Sequence, residues 1–109
     1  MKVLVLAERL DLSAAEPLLA QIAAHRDAAL RLDGSAVRHL GTPCLQILLA
    51  AARDWQKRGR DFAIEPQSEA MRQAILTFGL RQEDLRADSP PPGPRPLRQA
   101  APRRQQESP

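Results

Sequence analysis

A chain of 109 residues, 43% of them hydrophobic, holds one small domain with enough apolar material to fold without staples. Its single cysteine excludes an internal disulfide and no Cys/His spacing resembles a metal site, so a reducing, cytoplasmic setting is expected, with no metal and no cofactor. The net charge of +3 is uneven: residues 1–80 carry 10 Lys+Arg against 9 Asp+Glu, and residues 81–109 carry 6 against 4, so nucleic acid is not an expected partner of the folded part.

The chain opens "MKVLVLAERLDL", an apolar run far shorter than that of an export signal and followed at once by Glu8, Arg9 and Asp11. Nothing later reaches membrane-spanning length, so neither secretion nor a membrane span is expected. Residues 2–7 are short, β-branched and apolar, which suits a buried strand. Asp11 or Ser13 can then cap a helix whose Leu18, Leu19, Ile22 and Ala23 share one face, with Pro17 fitting only in the first turn. Residues 28–34, "AALRLDG", alternate apolar and polar positions and stop at a turn pair, the pattern of a second strand.

The stretch "HLGTPCLQ" follows, with an imidazole, a hydroxyl, a proline and the only thiol in one short junction. Thr42 before Pro43 is a strong helix start: the threonine oxygen can accept a free backbone N–H, and proline at the first helical position loses no bond. The helix is expected over residues 43–58, with Leu45, Leu48, Leu49, Ala52 and Trp55 along one stripe and Gly59 as its stop. Cys44 in the first turn admits two readings, a thiol activated by the helix terminus with His39 nearby, or a small core residue; no third orienting group accompanies it, which favours the core. Trp55 covers the core edge or anchors a partner, and His25 and His39 read as surface or strand-end residues.

Residues 61–66, "DFAIEP", form a third expected strand, and Ser68 with Glu69 opens a helix through Met71, Ala74, Ile75 and Phe78 that Gly79 ends. Strands separated by helices call for an α/β layer with a mostly parallel sheet and right-handed crossovers. Neither G-x-G-x-x-G nor G-x-x-x-x-G-K-[ST] occurs, which disfavours nucleotide binding by those loops. From Ser89 the chain reads "SPPPGPRPLRQAAPRRQQESP", with seven of the ten prolines and one large aliphatic residue, a composition that favours disorder. The expected division is a domain over residues 1–80 and a Pro/Arg-rich tail over residues 81–109.

Residues 30–80 resemble the STAS domain family, which includes bacterial anti-sigma factor antagonists, chemotaxis-operon STAS proteins and a small subunit of phospholipid-transport ABC systems. The likeness is carried by Asp33 and Ser35 at the end of the central strand, the junction Leu40-Gly41-Thr42-Pro43-Cys44-Leu45, the Gly59 turn and the closing "AILTFGL". It implies a small sheet of about four strands with helices mainly on one face. It also implies a module without catalytic activity or a small-molecule substrate, whose partner is a protein: a signalling kinase, an anti-sigma-like factor or, in the alternative, a transporter ATPase. The partner-binding residues transferred by the likeness are Asp33, Ser35, His39, Gly41, Thr42, Pro43 and Gln46.

In regulated members a serine or threonine at the start of this helix is phosphorylated, and Thr42 occupies that position. A phosphate there would meet the positive end of a helix dipole and add about −1.5 to −2 charges to the binding face. Two departures stand beside the match: Gly41 replaces the usual acidic residue, and Pro43 replaces a small residue and removes a backbone donor. The missing acidic residue favours the chemotaxis type over the sigma-factor switch. At the level of sequence Thr42 is either an N-cap or a phosphoacceptor.

Overall fold

The computed structural model describes residues 1–88, and the tail expected from residue 89 lies outside them. Strands β1 (Lys2–Val5), β3 (Leu30–Gly34) and β5 (Phe62–Gln67) form a parallel sheet in the order β1-β3-β5. Two further strands of two residues each, β2 (Arg9–Leu10) and β4 (His39–Leu40), pair in parallel beside it. The helices are α1 (Leu12–Ala23), α2 (Thr42–Arg58) and α3 (Glu69–Thr77), followed by a 3-10 turn at Gln82–Leu85. The architecture is the α/β layer expected.

Alternation along the strands decides which face is covered. Leu30, Leu32, Phe62 and Ile64 point to the helices and are buried, while Val3, Val5, Arg31, Ala63 and Glu65 share the other face and are exposed or half-buried. β1 is therefore an edge strand with one wet face, and the fully buried strand expected there is corrected: Val5 is 72% exposed. The central position belongs to β3, whose alternating pattern matches its role.

α2 is the principal wall of the core. Leu45, Leu48, Ala52 and Trp55 are buried at helical spacing as expected, joined by Cys44 and Ala51, with Leu49 half-buried. The Trp55 indole donates to Ala28 O at 2.8 Å and its ring lies 5.7 Å from that of Phe62, so this residue is a core pillar and not a surface anchor. Gly59 ends the helix at φ 68°, a left-handed conformation that glycine adopts without penalty.

α1 begins after Asp11 and runs through Pro17, which sits beyond the first turn. The bond that proline cannot make would have gone to Ser13 O, and both residues are exposed, so solvent can serve the freed carbonyl. Leu18 and Ile22 are buried, whereas Leu19 is 52% exposed. α3 starts as expected at Ser68, and its Met71 and Ile75 close the core over the end of β3. The approach there is tight: a Cβ on Gly34 would lie 2.6 Å from Met71 Sδ.

The packed region extends beyond residue 80. Leu85 and Ala87 are buried at 2% and 1% exposure, and Ala87 exchanges both backbone hydrogen bonds with Phe62 at the outer edge of β5. Residues 81–88 thus belong with the domain and not with the tail, because two small apolar contacts and a backbone bridge tie them down.

Candidate functional site

Two parallel pairs of chain segments bring the expected site residues to one end of the sheet. Leu6 N–H donates to Asp33 O at 2.9 Å, Arg38 and His39 N–H donate to Glu8 O at 2.7 and 3.1 Å, and Gly41 N–H donates to Leu10 O at 2.8 Å. The turn after β3 is locked locally, since Asp33 Oδ1 accepts from Ser35 N at 3.0 Å and from Ser35 Oγ at 2.7 Å. Those bonds from Ser35 hold the Asp33 carboxyl below its ordinary range. Both side chains therefore shape the turn, with Ser35 exposed at its tip.

At the start of α2 the N-cap is Gly41, not Thr42. Its carbonyl accepts the first helical bond from Leu45 N at 3.0 Å, while its own N–H is held by Leu10 O. Thr42 becomes the first helical residue and Pro43 the second, and no side chain caps the helix. The exposed Thr42 hydroxyl has no hydrogen-bond partner among the described residues. Gln46, one turn later, is exposed on the same face as Thr42, and Ala50 continues that line. His39 is exposed one strand residue before the junction.

Cys44 has the opposite environment. It is fully buried, its Sγ donates to Asp11 O at 3.3 Å, and burial first, then the Asp11 charge, pushes its thiol up from the ordinary range. An activated thiol needs the reverse shift, so this side chain is a core residue.

The same contact reveals Asp11, which sequence reasoning treated only as a helix cap. It occupies the N-cap position of α1 without a side-chain cap bond; instead it accepts from Ser13 Oγ at 2.7 Å, a bond that lowers its pKa. Asp11 O against Cys44 Sγ places the starts of α1 and α2 side by side, and the Asp11 carboxylate, paired with Arg9 at 3.8 Å, is near enough to act on the Cys44 thiol. The signal available in the sequence was only "LDLS" ahead of an apolar face.

Between α1 and α2 runs a groove of about 150 Å³ whose floor of Leu19, Ile22, Ile47, Ala51 and Trp55 is flanked by Arg26 and Asp54. Leu12, 75% exposed, and Leu19 add apolar surface to this side. A larger cleft of about 650 Å³ lies elsewhere, around Gln67, Arg72, Arg81 and Arg86. Each of its arginines already faces a carboxylate, Arg72 with Glu69, Arg81 with Glu83 and Asp84, and Arg86 with Glu65 and Asp88, so it presents no spare cation to an anionic ligand. Among the described residues, no group of three or more His, Cys, Asp or Glu is placed to hold a metal ion, and no helix is long and apolar enough to cross a membrane.

A family model described as "Mlab, STAS domain" matches residues 1–87. Comparison with curated proteins and with solved structures returns no match. The matched span covers the three-stranded sheet, the three helices, the 3-10 turn and the bridge that secures residue 87. With the α/β fold in agreement with it, the chain belongs to the STAS domain family.

Proposed function

We propose that this protein is a signalling module that acts by docking a protein partner on the face built from the α2 N-terminus and the α1–α2 groove. The carrying observation is the Thr42 hydroxyl, exposed and without a partner among the described residues where Gly41 has taken over the cap position. A hydroxyl that serves no internal bond is available to a partner, and Leu19 and Ile47 in the α1–α2 groove supply apolar contact area.

The same position suits Thr42 as a phosphoacceptor. Phosphate on this hydroxyl would face the N–H end of α2 without displacing any core side chain, and would place a double charge on an apolar docking face. The Asp11 carboxylate at the neighbouring start of α1 is paired with Arg9 at 3.8 Å, so both signs of charge border this surface. A regulatory kinase or anti-sigma-like factor is the partner class proposed, within a chemotaxis-type or sigma-type system. The second reading is an accessory subunit docked on a transporter ATPase. It is favoured by the largely apolar lining of the groove between Arg26 and Asp54, which suits a lasting contact, and by the name Mlab in the description of the matching family model.

Affinity capture with the wild-type chain, followed by intact-mass measurement after incubation with the captured partner and ATP, separates the two. Capture of a kinase and a gain of one phosphate at Thr42 supports the switch. Stable capture of a transporter ATPase with unchanged mass supports the accessory subunit, and a captured kinase that leaves the mass unchanged rules out phosphorylation by that partner.

A further inference from the structure

The two edges of the three-stranded sheet are treated differently. β5 is closed off: Phe62 N–H donates to Ala87 O at 2.8 Å, Ala87 N–H donates to Phe62 O at 2.9 Å, and Arg86 reaches Glu65 at 2.7 Å. Nothing among the described residues covers β1. Its inner groups are used, with Lys2 N–H on Ala29 O and Leu6 N–H on Asp33 O, both at 2.9 Å. Backbone groups alternate along a strand, so Val3 and Val5 turn their N–H and C=O away from the sheet.

These residues are also apolar and open to water: Met1 is 71%, Val3 48% and Val5 72% exposed. β1 holds no proline, and its pairing with β3 is continuous, so neither a proline nor a bulge blunts this edge. The groove on its helix side, beside Val5 and Leu6, is lined by Ala7, Ala14, Pro17 and Gln21 among others and contains no charged side chain.

We propose that β1 is a homodimerisation edge, pairing antiparallel with β1 of a second copy about a two-fold axis through Leu4. The occupant follows from self-complementarity. The groups on offer belong to two residues placed symmetrically about Leu4, so Val3 of each copy meets Val5 of the other and each pair exchanges both of its backbone bonds. The open face agrees with that direction. Val3 is in register with Arg31 and Val5 with Asp33, so antiparallel pairing sets the Arg31 position at one end of a cross-strand row and Asp33 of the second copy at the other, with the Arg31 guanidinium itself donating to Glu65 O at 2.8 Å on the far side of β3. Parallel pairing would align like charges instead. Three strand spacings separate the row ends by about 14 Å, beyond the screening length at physiological salt, so the charges contribute little, and the direction rests on the symmetric pairing of Val3 with Val5. The interface is short, which places its dissociation constant on the order of 10–100 μM.

Sedimentation velocity of the full chain from about 5 μM to about 1 mM brackets that range. A concentration-dependent shift from protomer to twice the protomer mass is expected. Val5→Pro removes an outward N–H at an edge position that accepts proline, and Val3→Lys places charge at the seam; each should weaken dimerisation by about tenfold or more with an unchanged circular dichroism spectrum. Leu19→Glu, in the α1–α2 groove, should leave dimerisation as in wild type. If Val5→Pro loses its fold, Val3→Lys decides by itself, since its side chain is not part of the core. A monomer at every concentration overturns the proposal, as do folded edge variants that dimerise like wild type or a dimer abolished by Leu19→Glu.

Discussion

The starts of α2 and α3 are both strand-to-helix junctions with a hydroxyl residue, and they use it in opposite ways. Ser68 is the N-cap of α3: its Oγ accepts from Met71 N at 3.0 Å and donates to Val37 O, tying the helix to the loop after β3. At α2 the cap position falls to Gly41, and Thr42 stands exposed with its hydroxyl unbonded among the described residues. One hydroxyl is consumed by the fold and the other is spared. A residue that the fold does not require, at a helix terminus that attracts negative charge, is a better candidate for regulation than one whose change would unfold its own helix.

The largest effect that sharpens this contrast is on stability. Ser68→Ala should destabilise the domain by about 2 kcal/mol, through loss of the cap and of the donor to Val37 O, measured as a shift of the urea midpoint. Thr42→Val should stay within about 0.5 kcal/mol of wild type in the same experiment. A drop for Thr42→Val comparable to that for Ser68→Ala would show that the two junctions are alike.

A smaller effect concerns the turn that flanks the site. Because bonds from Ser35 depress the folded-state pKa of Asp33, the stability they confer is present above the unfolded carboxylate value and is lost as pH falls through the folded one. Ser35→Ala, which removes the Oγ bond and keeps the N–H bond, should raise the Asp33 pKa part of the way to its ordinary value in a carboxyl NMR titration and reduce that part of the acid dependence. The smallest change is expected at Cys44. Its raised pKa keeps the thiol protonated, so native protein should be alkylated far more slowly than unfolded protein near neutral pH. Stability should fall at high pH, once the unfolded thiol ionises and the folded one does not.

Helix α2 was legible because its apolar spacing, Pro43 and Gly59 agree on one element. α3 was legible for the same reason, with Ser68 and Glu69 at its start. The cap of α2 was misread because a Thr-Pro pair favours proline at the first helical position. The ladder between Leu10 and Gly41, a tertiary contact, fixes the cap one residue earlier. β2 and β4 are two residues long, too short for any periodicity to register. β1 looked buried because its residues are apolar; only the strand order reveals that it lies at an edge. Leu85 and Ala87 were assigned to the tail because isolated apolar residues after Gly79 carry no pattern, and their burial depends on where β5 lies. Of the candidate site, the sequence pointed to the Asp33–Ser35 turn and the Gly41–Thr42 junction, while the neighbouring Asp11 came to light only through the packing of α1 against α2.

The most direct test of a docking face centred on a free hydroxyl is isothermal titration of the captured partner into wild type and Thr42→Glu. The account predicts an affinity lower by about tenfold or more for Thr42→Glu, roughly 1.4 kcal/mol or more, with an unchanged thermal midpoint. Equal affinities for the two proteins would contradict it.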